Sequence, residues 1–334
     1  MKFGSVPIEE AEGAIVAHAV RVDGLALRKG EIVTHDRLRT LAAAGVTDVV
    51  AARLEVGDVS EDEAARRLAK RLAGASVYCA AAFTGRVNLF AESAGLVIID
   101  AAAIDRVNAI DEAITAATVP QHRAVAKGDM VATVKIIPFA TPSPTLEAAL
   151  AALDESTAVS VAPFRPLRIA VASTVLPSLK PSVVAKTVRV LEARLQPTGA
   201  RIVAHETTAH DVESLASALA RLSPGAHALI IFGASAITDR RDVIPAAIEA
   251  FGGSIERFGM PVDPGNLLLL AARGDTPIIG APGCARSSKE NGFDWVLQRM
   301  LAGVPTSNAD IRAMGVGGLL MEIAARPHPR ESHD

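Results

Sequence analysis

Aromatic residues and cysteines are scarce in this chain of 334 residues. Half of the residues are hydrophobic but only 3% are aromatic, so Ala, Val, Leu and Ile must fill the cores, a composition that favours layered α/β packing. The two cysteines, Cys79 and Cys284, stand too far apart for a disulfide framework or a zinc site, and we expect reduced thiols. The eight histidines are dispersed. His205 and His210 would not share one helical face, so no histidine metal site is predicted.

A strong charge of one sign and long apolar runs are also missing. The formal net charge is −3 with both signs scattered along the chain, which argues against the basic footprint of a nucleic-acid binder. No apolar run approaches the ~20 residues needed to span a bilayer, and the acidic residues after Pro7 do not suit a secretory signal. We therefore expect a soluble cytoplasmic protein with neither a nucleic-acid nor a membrane partner.

The length suits two domains, because domains usually have roughly 100–200 residues. In the first half, Thr34 can cap one helix, Ser60 and Glu63 have the capping-box spacing for a second, and Gly74 can end the latter. The remainder up to residue 140 predicts a mixed α+β structure. Prolines place a boundary near 155–166, so we predict an N-terminal α+β domain over 1–160 and an α/β domain over 161–330.

The second half alternates between strand and helix patterns at the spacing of βαβ units, which predicts a largely parallel sheet. Amphipathic helices are predicted around Val184–Leu195, Val212–Leu222 and Phe293–Leu301, with a short one after Pro245. Strands are predicted at Leu167–Ala172, Arg201–Val203, His227–Phe232, Ser254–Phe258, Leu267–Ala271 and Pro277–Gly280.

Three loops follow predicted strands, at the sheet edge where α/β proteins bind ligands. They are Ser173–Ser182, Gly233–Pro245 and Ala281–Lys289. Each couples small residues to a helix N-terminus, whose N–H groups favour anions, and Arg286 adds a cation. A single loop of this kind often only turns a corner, but the three together suit a phosphorylated ligand.

The same loops carry a family resemblance. Gly233–Ala247 resembles the Gly-Gly-Thr-Gly…Asp-x-x-Pro signature of molybdopterin-binding domains, with Asp242-Val243-Ile244-Pro245 at its end. Pro282-Gly283 resembles the Leu-Pro-Gly-Asn-Pro loop of the molybdopterin molybdotransferase family, and Ser173-Thr174 resembles its Ser-Thr-Gly-Asp segment. The matches lie in the family's order over about residues 166–303, and Leu27–Val50 resembles an N-terminal segment of that family. The resemblance implies a three-layer α/β/α molybdopterin-binding-like domain.

The resemblance also implies site residues. Asp242 would be a catalytic acid and a Mg²⁺ ligand, and Asp239 a second catalytic acid. The alternatives are an N-cap role for Asp242 and a solvated ion pair for Asp239. Cys284 beside Arg286 could be a reactive thiolate or a small core filler. The implied cofactor-binding residues are Ser173, Thr174, Gly233, Ala234, Ser235, Pro245, Pro282, Gly283, Cys284, Arg286 and Ser287.

The implied function is molybdopterin binding in molybdenum cofactor biosynthesis, with three versions open. One is a molybdotransferase-like enzyme acting on adenylylated molybdopterin and molybdate; another is a molybdopterin adenylyltransferase using ATP and Mg²⁺. The third is a non-catalytic carrier or partner-docking module, which the departures from the family pattern favour. Ala234 and Ala236 stand where the family has glycines, and Cys284-Ala285 stands where it has Asn-Pro. Asp263 puts an acidic residue where the family has a basic one. Related domains often self-associate, so we expect a homo-oligomer.

Two other classes of enzyme lack their signatures in this sequence. No Gly-x-Gly-x-x-Gly follows a predicted strand, and no Gly-x-x-x-x-Gly-Lys-Ser/Thr is present. We therefore predict neither a dinucleotide-dependent dehydrogenase nor a P-loop NTPase.

Overall fold

A computed structural model describes residues 1–22, 25–154 and 157–320. The chain divides into two compact units, Met1–Ala162 and a second unit that begins at Pro163. The predicted domain end at residue 330 lies outside the described residues. Within the described residues, no helix is long and apolar enough to cross a membrane.

The described residues of the first unit form short, mostly antiparallel strands and four α-helices. The helices are α1 (His35–Ala43), α2 (Glu61–Leu72), α3 (Ala101–Asn108) and α4 (Ser143–Ala151). The strands are β1 (Lys2–Pro7), β2 (Ile15–Val16), β3 (Val20–Val22), β4 (Leu25–Leu27), β5 (Asp48–Arg53), β6 (Asp58–Ser60), β7 (Val77–Cys79), β8 (Arg86–Ala91), β9 (Gly95–Ile99), β10 (Ile114–Thr118), β11 (Ala124–Val125), β12 (Met130–Ile136), β13 (Ala140–Pro142) and β14 (Val159–Pro163).

Two hydrophobic cores lie in this unit. The smaller one packs α1 against the sheet β1-β5-β2, with Leu41 and Val49 buried in it. In the larger one, Leu68 and Leu72 of α2 pack against the sheet β10-β12-β8-β7. The apolar residues of α2 fall at helical spacing, so one face of the helix is buried against the sheet.

Two predicted helix ends in this unit take a different form. Ser60 stands at the N-cap of α2 without a side-chain capping bond, and the side chain of Glu63, its expected capping-box partner, pairs with Arg66 at 2.6 Å. Gly74 is not a left-handed cap, since the helix ends at Ala73 in an extended conformation. A Cβ on Gly74 would lie 2.5 Å from Thr157 Oγ1, so close packing explains this glycine.

The second unit is built on a six-stranded, mostly parallel sheet of order β16-β15-β17-β20-β19-β18. The pairs β15–β16, β15–β17 and β17–β20 are parallel, while β19 pairs antiparallel with β20 and β18. The strands are β15 (Arg168–Val175), β16 (Arg201–Ala209), β17 (Ala228–Phe232), β18 (Ser254–Phe258), β19 (Leu269–Arg273) and β20 (Thr276–Ala281). The predicted largely parallel α/β fold is confirmed.

Helices cover both faces of this sheet, which gives the three-layer α/β/α arrangement. Leu191, Phe293 and Ile311 belong to the core of one face, and Leu215 and Ile248 to the core of the other. The first face carries α5 (Pro181–Leu195), α8 (Gly292–Ala302) and α9 (Asn308–Ala313), and the second carries α6 (Val212–Leu222) and α7 (Val243–Ala250).

Two strands extend beyond their predicted ends. β15 continues past Ala172 to Val175, and β16 continues past Val203 to Ala209. Both extensions belong to one parallel pairing, in which Ser173 lies beside Thr207 and Thr174 beside Thr208. These polar residues therefore lie in strands rather than in the loop where the sequence pattern placed Ser173 and Thr174.

Candidate functional site

Three parallel strands bring their carboxyl ends together at one edge of the second unit. Ser173 of β15 pairs with Phe232 of β17, and Phe232 pairs with Ala281 of β20. The segment that begins at Gly233 and the segment that begins at Pro282 therefore start side by side. A ligand in an open α/β sheet binds at such an edge.

Arg286 links the two segments to helix α5. Its Nη2 donates to the Gly233 carbonyl at 2.6 Å, and its Nη1 donates to Thr187 Oγ1 at 3.0 Å. Its guanidinium carbon lies 5.8 Å from the centre of the Phe232 ring. Burial lowers the pKa of Arg286, yet an arginine side chain stays charged in proteins. The site thus holds a half-buried cation whose two hydrogen bonds go to neutral oxygens.

Thr174 joins the strand β15 to the same segment. Its hydroxyl oxygen accepts a hydrogen bond from the Ala234 N–H at 2.8 Å and lies 2.8 Å from His210 Nδ1. Ser173 points to the other face of the sheet, where its hydroxyl lies 3.0 Å from His205 Nε2. The sequence pattern ended β16 at Val203 and so gave neither histidine a role at the sheet edge. The strand instead runs to Ala209, which brings His205 to Ser173 and places His210, the residue after the strand, at Thr174.

The segment after β17 is tightly packed at Gly233, against other residues of the same segment and the start of α7. A Cβ there would lie 2.6 Å from Ile244 Cδ1 and 2.7 Å from the Ser235 carbonyl oxygen, so only glycine fits. Ser235 is exposed, while Ile237 is buried and anchors the middle of the segment. The segment therefore presents small residues and backbone to solvent between two fixed points.

The two predicted acids lie at the far end of this segment. Asp242 caps α7: its Oδ1 accepts from the Val243 N–H at 2.8 Å and its Oδ2 from the Thr238 N–H at 3.2 Å. Asp239 forms an exposed ion pair with Arg241 at 2.8 Å, and the hydrogen bonds from Arg241 lower the pKa of Asp239 to about 2. These contacts match the two alternatives stated above, a helix cap for Asp242 and a solvated ion pair for Asp239.

Pro245 is buried in the first turn of α7, where a helix needs no N–H donor from it. No group of three His, Cys, Asp or Glu side chains placed to hold a metal ion occurs in the described parts of the chain. A Mg²⁺ ion bound by Asp242 would therefore not have a cluster of three such ligands among the described residues.

The segment after β20 forms a short 3₁₀ helix, Gly283–Arg286, capped by Pro282. Gly283 and Ser287 are exposed, Pro282 is buried and Cys284 is half-buried. Burial raises the pKa of the Cys284 thiol, which disfavours a thiolate and favours the alternative of a small core filler.

Arg194 of α5 holds this segment in place. Its guanidinium pairs with Asp294 at 2.6 Å and donates to the carbonyls of Ala285 and Ser287 at 3.0 and 2.6 Å. Asn291 caps α8 and also donates to the Lys289 carbonyl at 2.9 Å. The position of Arg286 therefore depends on a nearly buried ion pair beneath it.

The second unit is similar in sequence to a known protein family. A family model described as a probable molybdopterin binding domain matches residues 169–303, which include all three segments at the sheet edge. Most of the second unit is therefore similar to this family. In the first unit, a model described as a domain of unknown function matches residues 5–53. No curated protein matches the chain.

Solved structures similar to the chain come from cofactor-biosynthesis proteins at low identity. The molybdopterin biosynthesis moea protein from Pyrococcus horikosii is 15% identical, with 91% of this chain and 75% of that one covered and a TM-score of 0.33. A molybdenum cofactor biosynthesis protein from Pyrococcus furiosus is 10% identical, with 92% and 66% covered and a TM-score of 0.28. Molybdenum cofactor biosynthesis protein B is 16% identical, with 40% and 87% covered and a TM-score of 0.28.

The structure brings some of the predicted binding residues of the molybdopterin-binding domain together and separates others. Thr174, Gly233, Ala234 and Arg286 form one connected group at the sheet edge. Ser173 turns to the α5 side, and Asp239 with Asp242 stand at the distant end of their segment. Chemically, the connected group offers one cation, and the small residues Ser235 and Gly283 of the two segments are exposed, a combination that suits an anion.

Proposed function

We propose that the molybdopterin-binding domain binds molybdopterin at this sheet edge, with the phosphate of the ligand held by Arg286. The observation that carries the proposal is the half-buried guanidinium of Arg286, whose hydrogen bonds go to Gly233 and Thr187. A guanidinium has five N–H donors, so donors remain for a phosphate. The exposed small residues at Ser235 and Gly283 let a ligand approach the backbone.

Among the three versions of this function, the contacts favour a binding module that carries or hands over the cofactor. Asp242, the residue on which catalysis would depend, uses both carboxylate oxygens to cap α7 and to hold Thr238. Asp239 is engaged by Arg241 in solvent. Neither carboxylate has the shielded setting that usually tunes a catalytic acid.

A molybdotransferase-like enzyme is the second candidate, and the position of Asp242 in the segment after β17 supports it. Mg²⁺ commonly binds through one or two protein carboxylates together with ligand phosphates. A carboxylate has about four lone-pair sites, so Asp242 fits such a site even while it caps the helix. Magnesium would there neutralise the phosphate charge of adenylylated molybdopterin.

Calorimetry with purified molybdopterin, adenylylated molybdopterin and ATP, with and without Mg²⁺, tests the proposal. We expect Arg286→Ala to weaken molybdopterin binding roughly 10- to 100-fold, because charge-assisted hydrogen bonds contribute about 1.5–3 kcal/mol. Arg189→Ala, which removes an exposed cation of α5, is the matched control and should bind like the wild type.

The outcomes separate the candidates. Binding that is indifferent to Mg²⁺ and to Asp242→Asn indicates a carrier module. A Mg²⁺ dependence that Asp242→Asn abolishes indicates the transferase. If none of the three ligands binds, the proposed function fails although the fold stands.

A further inference from the structure

A groove of about 500 Å³ lies in the first unit, between the helix α2 and the strand β7. Its strand side is formed by small or apolar residues, among them Val77, Val87 and the three alanines 80–82. On the helix side, Arg66 and Lys70 line it. Ligand sites commonly have volumes of about 300–1,000 Å³, so the groove is large enough for part of a peptide.

The strand β7 has a free edge beside this groove. It stands at the end of the sheet β10-β12-β8-β7 and, in the described part of the chain, pairs with β8 alone. The Ala80 N–H donates to the Asn88 carbonyl at 2.9 Å, so the backbone groups of the alternate residues Cys79 and Ala81 point away from β8. Residues 77–83 contain neither a charge nor a proline, the features that commonly block strand addition at a sheet edge. The edge is therefore open to a further strand.

The charges that line the groove have one sign. Lys70 is exposed and has no ion-pair partner among the described residues. Arg66 is paired with Glu63 in solvent, a kind of contact that contributes little. No carboxylate belongs to the lining within the described ranges. Burial raises the pKa of the Cys79 thiol, which disfavours a thiolate there. The groove therefore suits acidic side chains.

The two cations are spaced like side chains of an extended peptide. Arg66 and Lys70 stand four positions apart on α2, where Cβ atoms are about 5–6 Å apart. In a strand, side chains two positions apart point to the same face and are about 6.5 Å apart. Two acidic residues separated by one residue can thus reach both cations at once, while the backbone of the peptide runs along β7.

We propose that this groove binds an extended acidic segment of a partner protein, which adds to the free edge of β7 as a further strand and directs two carboxylates to Arg66 and Lys70. Main-chain hydrogen bonds supply the affinity in strand addition, and the side chains supply the specificity. The inference goes beyond the ligand site of the second unit and does not depend on it.

The first test is fluorescence anisotropy of a labelled peptide, Thr-Glu-Val-Glu-Val-Thr, with the whole chain. We expect it to bind roughly tenfold more tightly than Thr-Lys-Val-Lys-Val-Thr, and Lys70→Glu should weaken its binding roughly tenfold, because a repulsion replaces an attraction. Lys127→Glu makes the same change of charge in an exposed turn before β12 and should stay within about twofold of the wild type. Circular dichroism and the melting temperature verify that both variants fold.

Methylation of the peptide nitrogens separates strand addition from plain attraction between charges. In an added strand, only alternate residues donate their N–H groups to β7. Methylation at alternate positions should therefore abolish binding, and methylation at the positions between them should leave it within about twofold. An equal effect at all positions, or equal affinity of Lys70→Glu and the wild type for the acidic peptide, would overturn the proposal.

A second copy of the chain is the other occupant that a free strand edge could take. If the wild type is a dimer on a sizing column, Lys70→Glu dissociates it and the acidic peptide does not bind, the groove joins two copies and the proposal is overturned. Failure of this proposal leaves the molybdopterin site unaffected, because that site is tested at Arg286 with a different ligand.

Discussion

The ion pair between Arg194 and Asp294 leads to a quantitative prediction about the stability of the second unit. The two side chains are only 10% and 11% exposed, and their closest atoms lie 2.6 Å apart. Arg194→Met leaves a nearly buried carboxylate without its cation and two backbone carbonyls without their donor. Removing one member of a buried pair costs about 3–5 kcal/mol, which is the loss of unfolding free energy that we expect.

Trp295 makes this measurement specific, because it is the only tryptophan of the chain and lies beside Asp294. Urea unfolding followed by its fluorescence reports the second unit. Arg194→Met should lower the midpoint without changing the slope. Arg194→Lys keeps the charge but not the forked contact, so its loss should be smaller, and Arg189→Met on the exposed side of α5 should change little. A loss below about 1 kcal/mol for Arg194→Met would refute the reasoning, because exposed pairs contribute that little.

Three further predictions concern titration and backbone strain. His205 is exposed on β16, but partial desolvation of its ring lowers its pKa, so protonation opposes folding. NMR titration should give a midpoint below the ordinary value of about 6.5, and stability should fall as the pH drops below that value. A midpoint above it would contradict the desolvation argument. The pKa of Asp239 is about 2 because Arg241 stabilises the carboxylate, so its contribution is present above the ordinary pKa and is lost as the pH falls toward 2. Both side chains are exposed, so solvent screening makes that contribution too small to detect, and Asp239→Asn should leave the urea midpoint at pH 7 unchanged; a clear shift would mean that the pair is not solvated. Gly85 has a φ of +70°, and a Cβ there would lie 2.8 Å from the backbone oxygen of Ile136, so Gly85→Ala should cost at least about 1–2 kcal/mol in thermal unfolding. The loss should exceed that of Gly128→Ala, whose Cβ would meet nothing within 4 Å; equal losses would exclude a steric contribution at Gly85.

The alternation of elements in the second unit could be predicted because its central strands are buried on both faces. All five residues of β17 are buried and apolar, so the strand reads as a continuous run between helix patterns. Gly199 and Gly303 end their helices in the left-handed conformation, as the sequence indicates.

The ends of β15 and β16 could not be predicted, because polar residues there are paired across strands. Ser173 and Thr174 look like loop residues in the sequence, but His205 and His210 supply their hydrogen-bond partners. Such pairs depend on the register of β15 with β16, which no local pattern specifies.

For the candidate site, the sequence indicates the segments but not their contacts. The rule that ligands bind beyond parallel strands points to Gly233 and Pro282. It cannot show that Arg286 donates to the Gly233 carbonyl, or that Arg194 meets Asp294 one hundred positions away. These contacts arise from the packing of α5 against the end of the sheet.

Hydrogen exchange of the whole chain with and without saturating molybdopterin tests the central claim most directly, because it locates the ligand without a substitution. We expect slower exchange in the segments 233–242 and 282–289 and at the start of α5, with no change in α2 or the sheet β10-β12-β8-β7. Protection confined to the first unit, or to the edge strand β18 of the second, would contradict a molybdopterin site at Arg286.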